Sequence, residues 1–324
     1  MSAFAVTSRI PEPALELLAA HGTVLGGDRD GPLPLAELAP LLAEAEVAVT
    51  LLFDRVDEDF LTAAPRLCCV CNVAVGYDNV DLEAAARRGV AVTNTPGVLD
   101  DATADLTMAL LLAAARRLGE GERLIRAGQP WAWGMGFMLG SDLAGKRLGI
   151  VGLGAIGSRV ARRARSFGMS ITYSGRRESP FAAELEAERQ ELDDLLRDSD
   201  FVSLHCPLTA ETRHLLGARE LGLMKPSAVL VNTARGPVVD EAALAEALRA
   251  GQLRAAALDV FEHEPAVHPG LLELDQAVLL PHLGSATVET RLAMAKLAAE
   301  NAIAAASGAE LPTPVSVPEG WPAA

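Results

Sequence analysis

The segment Gly152-Leu153-Gly154-Ala155-Ile156-Gly157 constrains this chain more than any other. It follows the apolar run Leu148-Gly149-Ile150-Val151 and opens a helical stretch, Ala155 to Phe167. Strand, three spaced glycines and helix together form the first turn of a doubly wound nucleotide-binding sheet. The first glycine allows the tight turn, the second lets backbone approach a pyrophosphate, and the third packs helix on strand. The helix start then offers unpaired N–H groups and a partial positive charge to phosphates. Ala155 and Ile156 lie in that cradle with Gly152, Gly154 and Gly157.

Around this turn, apolar runs and amphipathic stretches alternate. Expected strands are Arg147 to Val151, Ser170 to Ser174, Phe201 to His205, Ala228 to Asn232, Ala255 to Val260 and Ala277 to Leu280. Helices are expected over Leu192 to Arg197, Thr212 to Met224 and Glu241 to Ala250. The same alternation fills the first hundred residues, with strands at Phe4 to Thr7, Val47 to Leu52, Leu67 to Val70 and Val90 to Val92. The expectation is an α/β protein of two doubly wound parallel-sheet domains: a Rossmann nucleotide-binding domain over 100–286, and a smaller flavodoxin-like substrate domain from 1–99 plus 287–324. The last helix, Thr287 to Ala306, would return the chain to the first domain, before a Pro-rich tail from Pro312 to Pro322.

Between the domains, Asp100 or Asp101 can cap a long helix through Met108 to about Ala127. Its apolar middle and the following loop, with Trp131 and Trp133, suit burial against a second subunit.

Composition excludes several roles. A net charge of -15 disfavours nucleic acid, which needs clustered cations. No uncharged apolar run approaches the ~20 residues of a membrane span, and the start Met1-Ser2-Ala3-Phe4 has no signal-peptide pattern, so a cytoplasmic protein is expected. Cys68, Cys69 and Cys71 share one strand, where alternate side chains face opposite ways, so no metal site is expected. His21, His214, His263 and His268 are expected to be solvated.

An NAD site carries an acid about 20 residues past the glycines, at the end of the second strand. Here that strand ends Thr172-Tyr173-Ser174-Gly175-Arg176-Arg177, and the first acid is Glu178. Guanidinium groups and a serine suit a 2'-phosphate, so NADPH is preferred and NADH possible. Arginine pairs recur in this chain, which has three lysines to twenty-five arginines, so it is position that gives this pair its meaning.

Three later segments are loaded with chemical groups: Asn232-Thr233-Ala234-Arg235-Gly236, Asp259 to Pro265, and Pro281-His282-Leu283-Gly284-Ser285-Ala286. Each falls at or beyond the C-terminal end of a strand, where open α/β sheets bind ligands. Reducing a 2-keto acid needs a cation for the carboxylate, a proton donor for the oxygen and a hydride donor. Arg235, His282 and the reduced nucleotide fill these places, and Glu264 beside His282 would orient the ring and keep it charged near neutral pH. Taken singly, each has a dull explanation: a surface ion pair, a loop acid, a satisfied histidine.

In their order and spacing these motifs resemble the D-isomer-specific 2-hydroxyacid dehydrogenase family over nearly the whole chain. Asn94-Thr95-Pro96-Gly97, Ser174 to Arg177 and Gly284 to Thr287 are most similar to its glyoxylate/hydroxypyruvate reductases. The resemblance implies that Arg235, Glu264 and His282 are catalytic and that Asp259 bonds the nicotinamide carboxamide. It also implies that Cys206, Pro207 and Thr212 line the nucleotide cleft, and that Thr233, with Ala234 and Gly284, lies near the nicotinamide. Backbone N–H groups of Val75 and Gly76 would take the substrate carboxylate, with Leu52 facing the substrate. It implies a homodimer through the nucleotide domain.

The function expected is NADPH-linked reduction of glyoxylate or hydroxypyruvate. The alternatives are an NADH-linked dehydrogenase of D-lactate, 2-ketogluconate or 3-phosphoglycerate, and a nucleotide-sensing corepressor-like scaffold. The short tail after Ala306 tells against a phosphoglycerate dehydrogenase, whose longer forms add a regulatory module there.

Overall fold

The computed structural model describes residues 2–319 and 321. Met1, Gly320 and the segment Pro322 to Ala324, which the domain and tail expectations include, lie outside the described residues. The chain divides into two compact units, one up to Leu99 and from Ala286 onward, the other Asp100–Ser285.

In the first unit, strands β1 (Ser2–Val6), β2 (Gly22–Gly26), β3 (Val47–Thr50), β4 (Cys69–Asn72) and β5 (Ala91–Thr93) pair in parallel in the order 2-1-3-4-5. That is the flavodoxin-like order. The strand Pro314–Ser316 adds to β5 antiparallel. Two-sided burial explains the apolar central strands: every residue of β3, β4 and β5 is buried. The helix Val288–Ser307 packs beside Glu12–Ala19 and over β3 and β4, with a run of buried alanines that permits close approach.

The second unit holds β6 (Arg147–Val151), β7 (Ser170–Ser174), β8 (Glu188–Arg189), β9 (Phe201–Leu204), β10 (Val229–Asn232), β11 (Ala255–Leu258) and β12 (Ala277–Leu279). All pair in parallel, in the order 12-11-10-9-6-7-8. The order reverses between β6 and β9, which creates the crevice where doubly wound sheets take ligands. The two sheet faces carry separate cores. Tyr173, Phe201 and Leu111 belong to one, Leu204, Leu230 and Leu244 to the other.

Several elements differ from the sequence expectation. The long helix stops at Ala115: Arg117 takes a left-handed backbone (φ 55°), its guanidinium engages Glu120, and a second helix runs Leu118–Arg126. The helix expected over Thr212 to Met224 shrinks to Ala218–Leu221. The Thr212 hydroxyl accepts from Thr209 N at 2.8 Å and donates to Pro207 O at 2.6 Å, and such local bonds compete with helix. β4 begins two residues later than Leu67. β2, β8, the helix Leu35–Leu42 and the strand Pro314–Ser316 were not anticipated. The three strands are short, partly exposed edges of their sheets, and such strands carry little periodic signal.

Candidate active site

The glycine turn comes first. Gly152 has φ +97°, and a Cβ there would stand 2.8 Å from His205 C and Cys206 N, so the turn presses directly on the end of β9. Gly157 is as confined, its Cβ position 2.3 Å from Gly152 O. Gly154 is the opposite case, exposed with nothing within 4 Å. It caps the helix Ala155–Ser166 without a side chain, and no acid occupies that helix's first turn. An open, uncapped helix start beside a strand reversal fits a dinucleotide pyrophosphate.

Around it, Ser174 and Cys206 are half-buried while Arg176 and Arg177 are exposed. Burial pushes the Cys206 thiol up to about 11, so it is no nucleophile at neutral pH. The Thr212 hydroxyl is engaged in its own turn with Thr209 and Pro207. Thr233 is buried, its hydroxyl 2.8 Å from that of Thr107, which in turn donates to Thr103 O. Thr103 donates to Gly284 O at 3.2 Å, so the helix Asp100–Ala115 backs both segments.

The ionisable cluster lies at the ends of β10, β11 and β12. Buried Asn232 brackets the turn after β10, accepting from Ala234 N at 3.0 Å and donating to Arg235 O at 2.9 Å. Arg235 Nη1 donates to Ala234 O. Asp259 is buried, and its two oxygens accept from Leu283 N at 2.7 Å and Gly284 N at 2.8 Å. Burial raises its carboxyl above the usual range against those N–H groups and the His282 charge.

His282, with a left-handed backbone (φ 54°), donates its own N–H to Asp259 O at 2.8 Å. A non-glycine residue held in that region marks a position the surroundings dictate. Its Nδ1 meets Glu264 Oε2 at 2.8 Å, with side chains 25% and 31% exposed. Glu264 Oε1 accepts from Phe261 N at 3.0 Å. Burial pushes the Glu264 carboxyl up, but the His282 bond and charge, the Phe261 N–H and the Arg235 charge outweigh it and hold the group below the glutamate range. An ionised carboxylate only accepts, so Nδ1 carries the proton and Nε2 is left for chemistry.

Other expected residues sit in the first unit. The carbonyls of Val75 and Gly76 accept from Asn94 Nδ2 at 2.8 Å and Asn72 Nδ2 at 3.0 Å. No described residue accepts from the N–H of Val75 or Gly76. Leu52 is half-buried, and Asn79 ties its neighbours by donating to Leu51 O and Asp54 O.

Three of the four histidines taken as solvated have partners. His214 Nε2 meets Glu262 Oε2 at 2.8 Å, His268 caps Pro269–Leu272 by accepting from Gly270 N, and His21 Nδ1 meets Leu17 O. The His21 and His268 partners are local, whereas Glu262 is brought to His214 by the fold, forty-eight residues away, and spacing alone could not reveal it. Asn232 stands in a segment the sequence singles out but gains its bracketing role only here, and Asn72 and Asn79 are additions; Asn72 and Asn232 each end a buried strand, which is a usable signal. Cys69 and Cys71 lie 3.7 Å apart, both reduced. Among the described residues no group of three or more His, Cys, Asp or Glu is arranged to hold a metal, and no helix is long and apolar enough to cross a membrane.

A place for a dinucleotide and, in the same unit, an imidazole oriented by a carboxylate with an arginine nearby are the equipment of an NAD(P)-dependent oxidoreductase. Comparison with known proteins agrees. A model of the NAD-binding domain of D-isomer specific 2-hydroxyacid dehydrogenases matches residues 108–284. A glyoxylate reductase of Aeropyrum pernix is 52% identical over 310 residues, 94% of this chain and 92% of that protein. One from Thermococcus litoralis is 48% identical over 95% of this chain and 94% of its own length. Among solved structures, a Thermus thermophilus protein superposes with a TM-score of 0.91 at 45% identity, covering 97% of this chain and all of that one. An NADPH-dependent glyoxylate/hydroxypyruvate reductase of Sinorhizobium meliloti, in complex with NADP and malonate, has a TM-score of 0.87 at 35% identity, covering 97% of each chain. The chain belongs to the D-isomer-specific 2-hydroxyacid dehydrogenase family.

Proposed function

We propose that this protein reduces glyoxylate to glycolate and hydroxypyruvate to D-glycerate, with NADPH preferred over NADH. The 2.8 Å contact between Glu264 and His282 carries the reading. When bound, the reduced nicotinamide supplies the hydride to the carbonyl carbon. His282 Nε2 gives its proton to the carbonyl oxygen, and Glu264 holds the ring through Nδ1 and offsets its charge. Arg235 grips the substrate carboxylate, and its fork suits carboxylate and keto oxygen together. Residues 1–99 with 287–324 form the substrate domain, where the Val75 and Gly76 N–H groups take the carboxylate and Leu52 bounds a pocket for a two- or three-carbon acid.

In the nucleotide domain, residues 100–286, Gly152 to Gly157 cradle the pyrophosphate. Asp259 anchors the nicotinamide edge of the site, lined by Thr233, Ala234 and Gly284; Cys206, Pro207 and Thr212 line the rest of the cleft. Ser174, Arg176 and Arg177 favour a 2'-phosphate, a reading supported by the named cofactor of the Sinorhizobium reductase. Trp133 (78% exposed), Met135 and Ile125 leave apolar side chains exposed on this unit, as expected of a homodimer interface in a cytoplasmic enzyme.

Steady-state kinetics with glyoxylate, hydroxypyruvate, pyruvate and 2-ketogluconate, each against NADPH and NADH, test this. The highest kcat/KM should fall on a two- or three-carbon keto acid with NADPH. Preference for 2-ketogluconate or for NADH would overturn the corresponding half of the proposal, and tight NADPH binding without turnover would favour a sensor.

A further inference from the structure

The loop after β11 carries two glutamates with different partners. Glu264 faces His282, whereas Glu262, two residues earlier, is held by groups outside the reacting pair. Its Oε1 accepts from Glu241 N at 2.9 Å and its Oε2 meets His214 Nε2 at 2.8 Å. Glu241 answers in kind: its Oε1 accepts from Glu262 N at 2.6 Å and its Oε2 from His268 N at 3.2 Å. Two side chains thus grip both ends of the Phe261 to His268 loop. Burial pushes the Glu262 carboxyl up, but the Glu241 N–H and the His214 ring together hold it low, so it stays an acceptor.

Beneath this grip lies Gly236, next to Arg235. A Cβ there would stand 1.9 Å from Phe261 C and 2.4 Å from Glu262 N, so the Phe261–Glu262 peptide rests on the arginine turn. His214 joins the same turn from the other side, donating its N–H to Pro237 O at 2.7 Å. The Phe261 N–H on this loop is the one that Glu264 Oε1 accepts.

We propose that Glu262, gripped by His214 and Glu241, is a positioning residue for the reduction: it seats the Phe261–Glu262 peptide on Gly236 and so sets Glu264 and Arg235 at their working separation. The inference rests on the reading of Glu264 and His282 as the acid pair. Removing the Glu262 carboxylate frees the peptide, weakens the Phe261 N–H bond to Glu264, and lets the Glu264 carboxyl, which also faces His282, Arg235 and Asp259, protonate more easily.

The test follows initial rates of glyoxylate reduction at saturating NADPH from about pH 3.5 to 9 in the full-length protein, with cofactor affinity read by nicotinamide fluorescence. Glu262→Ala should lower kcat by about 10-fold and move the acid-side midpoint toward neutrality by about half a unit or more, while NADPH affinity stays at wild type. Glu262→Gln, whose amide oxygen still accepts from Glu241 N, should recover most of the rate. Wild-type kcat and acid limb in Glu262→Ala, beside a crippled Glu264→Gln, would overturn the positioning role. An unimpaired Glu264→Gln would instead remove the acid-pair reading beneath it. Should Glu262→Ala not fold, His214→Ala decides: that ring is 42% exposed, and an unchanged pH profile there defeats the proposal.

Discussion

Glu264 Oε2 stands 2.8 Å from His282 Nδ1, eighteen residues along the chain, while the Glu264 Oε1 takes the Phe261 N–H. One carboxylate therefore binds the ring and its own loop together. With Glu264 held below the glutamate range, it stays ionised as pH falls through ~4.3, and activity on the acid side should persist to below that point. Glu264→Gln removes the charge but not the shape, and kcat should fall about 10- to 100-fold across the whole pH range. His282→Ala should cost about 100-fold or more with NADPH affinity retained, and normal turnover by that variant would end the general-acid assignment.

Arg235 should act on the acid rather than on the nucleotide. Arg235→Ala is expected to raise KM for glyoxylate about 10- to 100-fold, the worth of a charge-assisted pair, with NADPH affinity unchanged. Fluorescence titration showing lost cofactor binding alone would contradict this.

The glycines divide into two kinds, which substitution should separate. Gly152→Ala forces a side chain into a left-handed turn and against His205 and Cys206, so it should lower Tm and weaken NADPH binding together. Gly154→Ala meets nothing in the protein and should leave Tm within a degree or two, yet weaken NADPH binding about 10-fold by filling the pyrophosphate cradle. Melting curves and titrations on both variants check the contrast.

His205 provides a pH signature of stability. Burial pushes its imidazole down to about 3, while Nε2 meets Ser203 Oγ at 2.8 Å and Nδ1 has no hydrogen-bond partner. The unfolded chain takes a proton near ~6.5 that the folded chain refuses, so this contribution is whole above ~6.5 and is lost as pH falls toward 3. The loss is up to about 1.4 kcal/mol per pH unit. His205→Asn should flatten the acid side of Tm against pH; an unchanged curve would place the imidazole in contact with water.

How much was readable in advance depends on where each feature's cause lies. Gly152 to Gly157 declares its turn because the constraint is local: a strand, a positive φ and a helix start within six residues. β3, β4, β9 and β10 were legible because burial on both faces leaves unbroken apolar runs. The end of the long helix at Ala115 and the shrinking of 212–224 were not, since a left-handed Arg117 and a threonine bonded to its own turn override helical spacing.

By itself the sequence determined two doubly wound layers, the nucleotide turn and the residue types of the ionisable cluster, because periodicity and short-range backbone demands are written in neighbouring residues. Only the tertiary structure decided that Glu262 turns away from the acid pair, to His214 and Glu241 N, and that the loop after β11 is gripped there. Side chains eighteen and forty-eight residues apart become neighbours through the packing of strand ends, and that packing depends on contacts no local window contains.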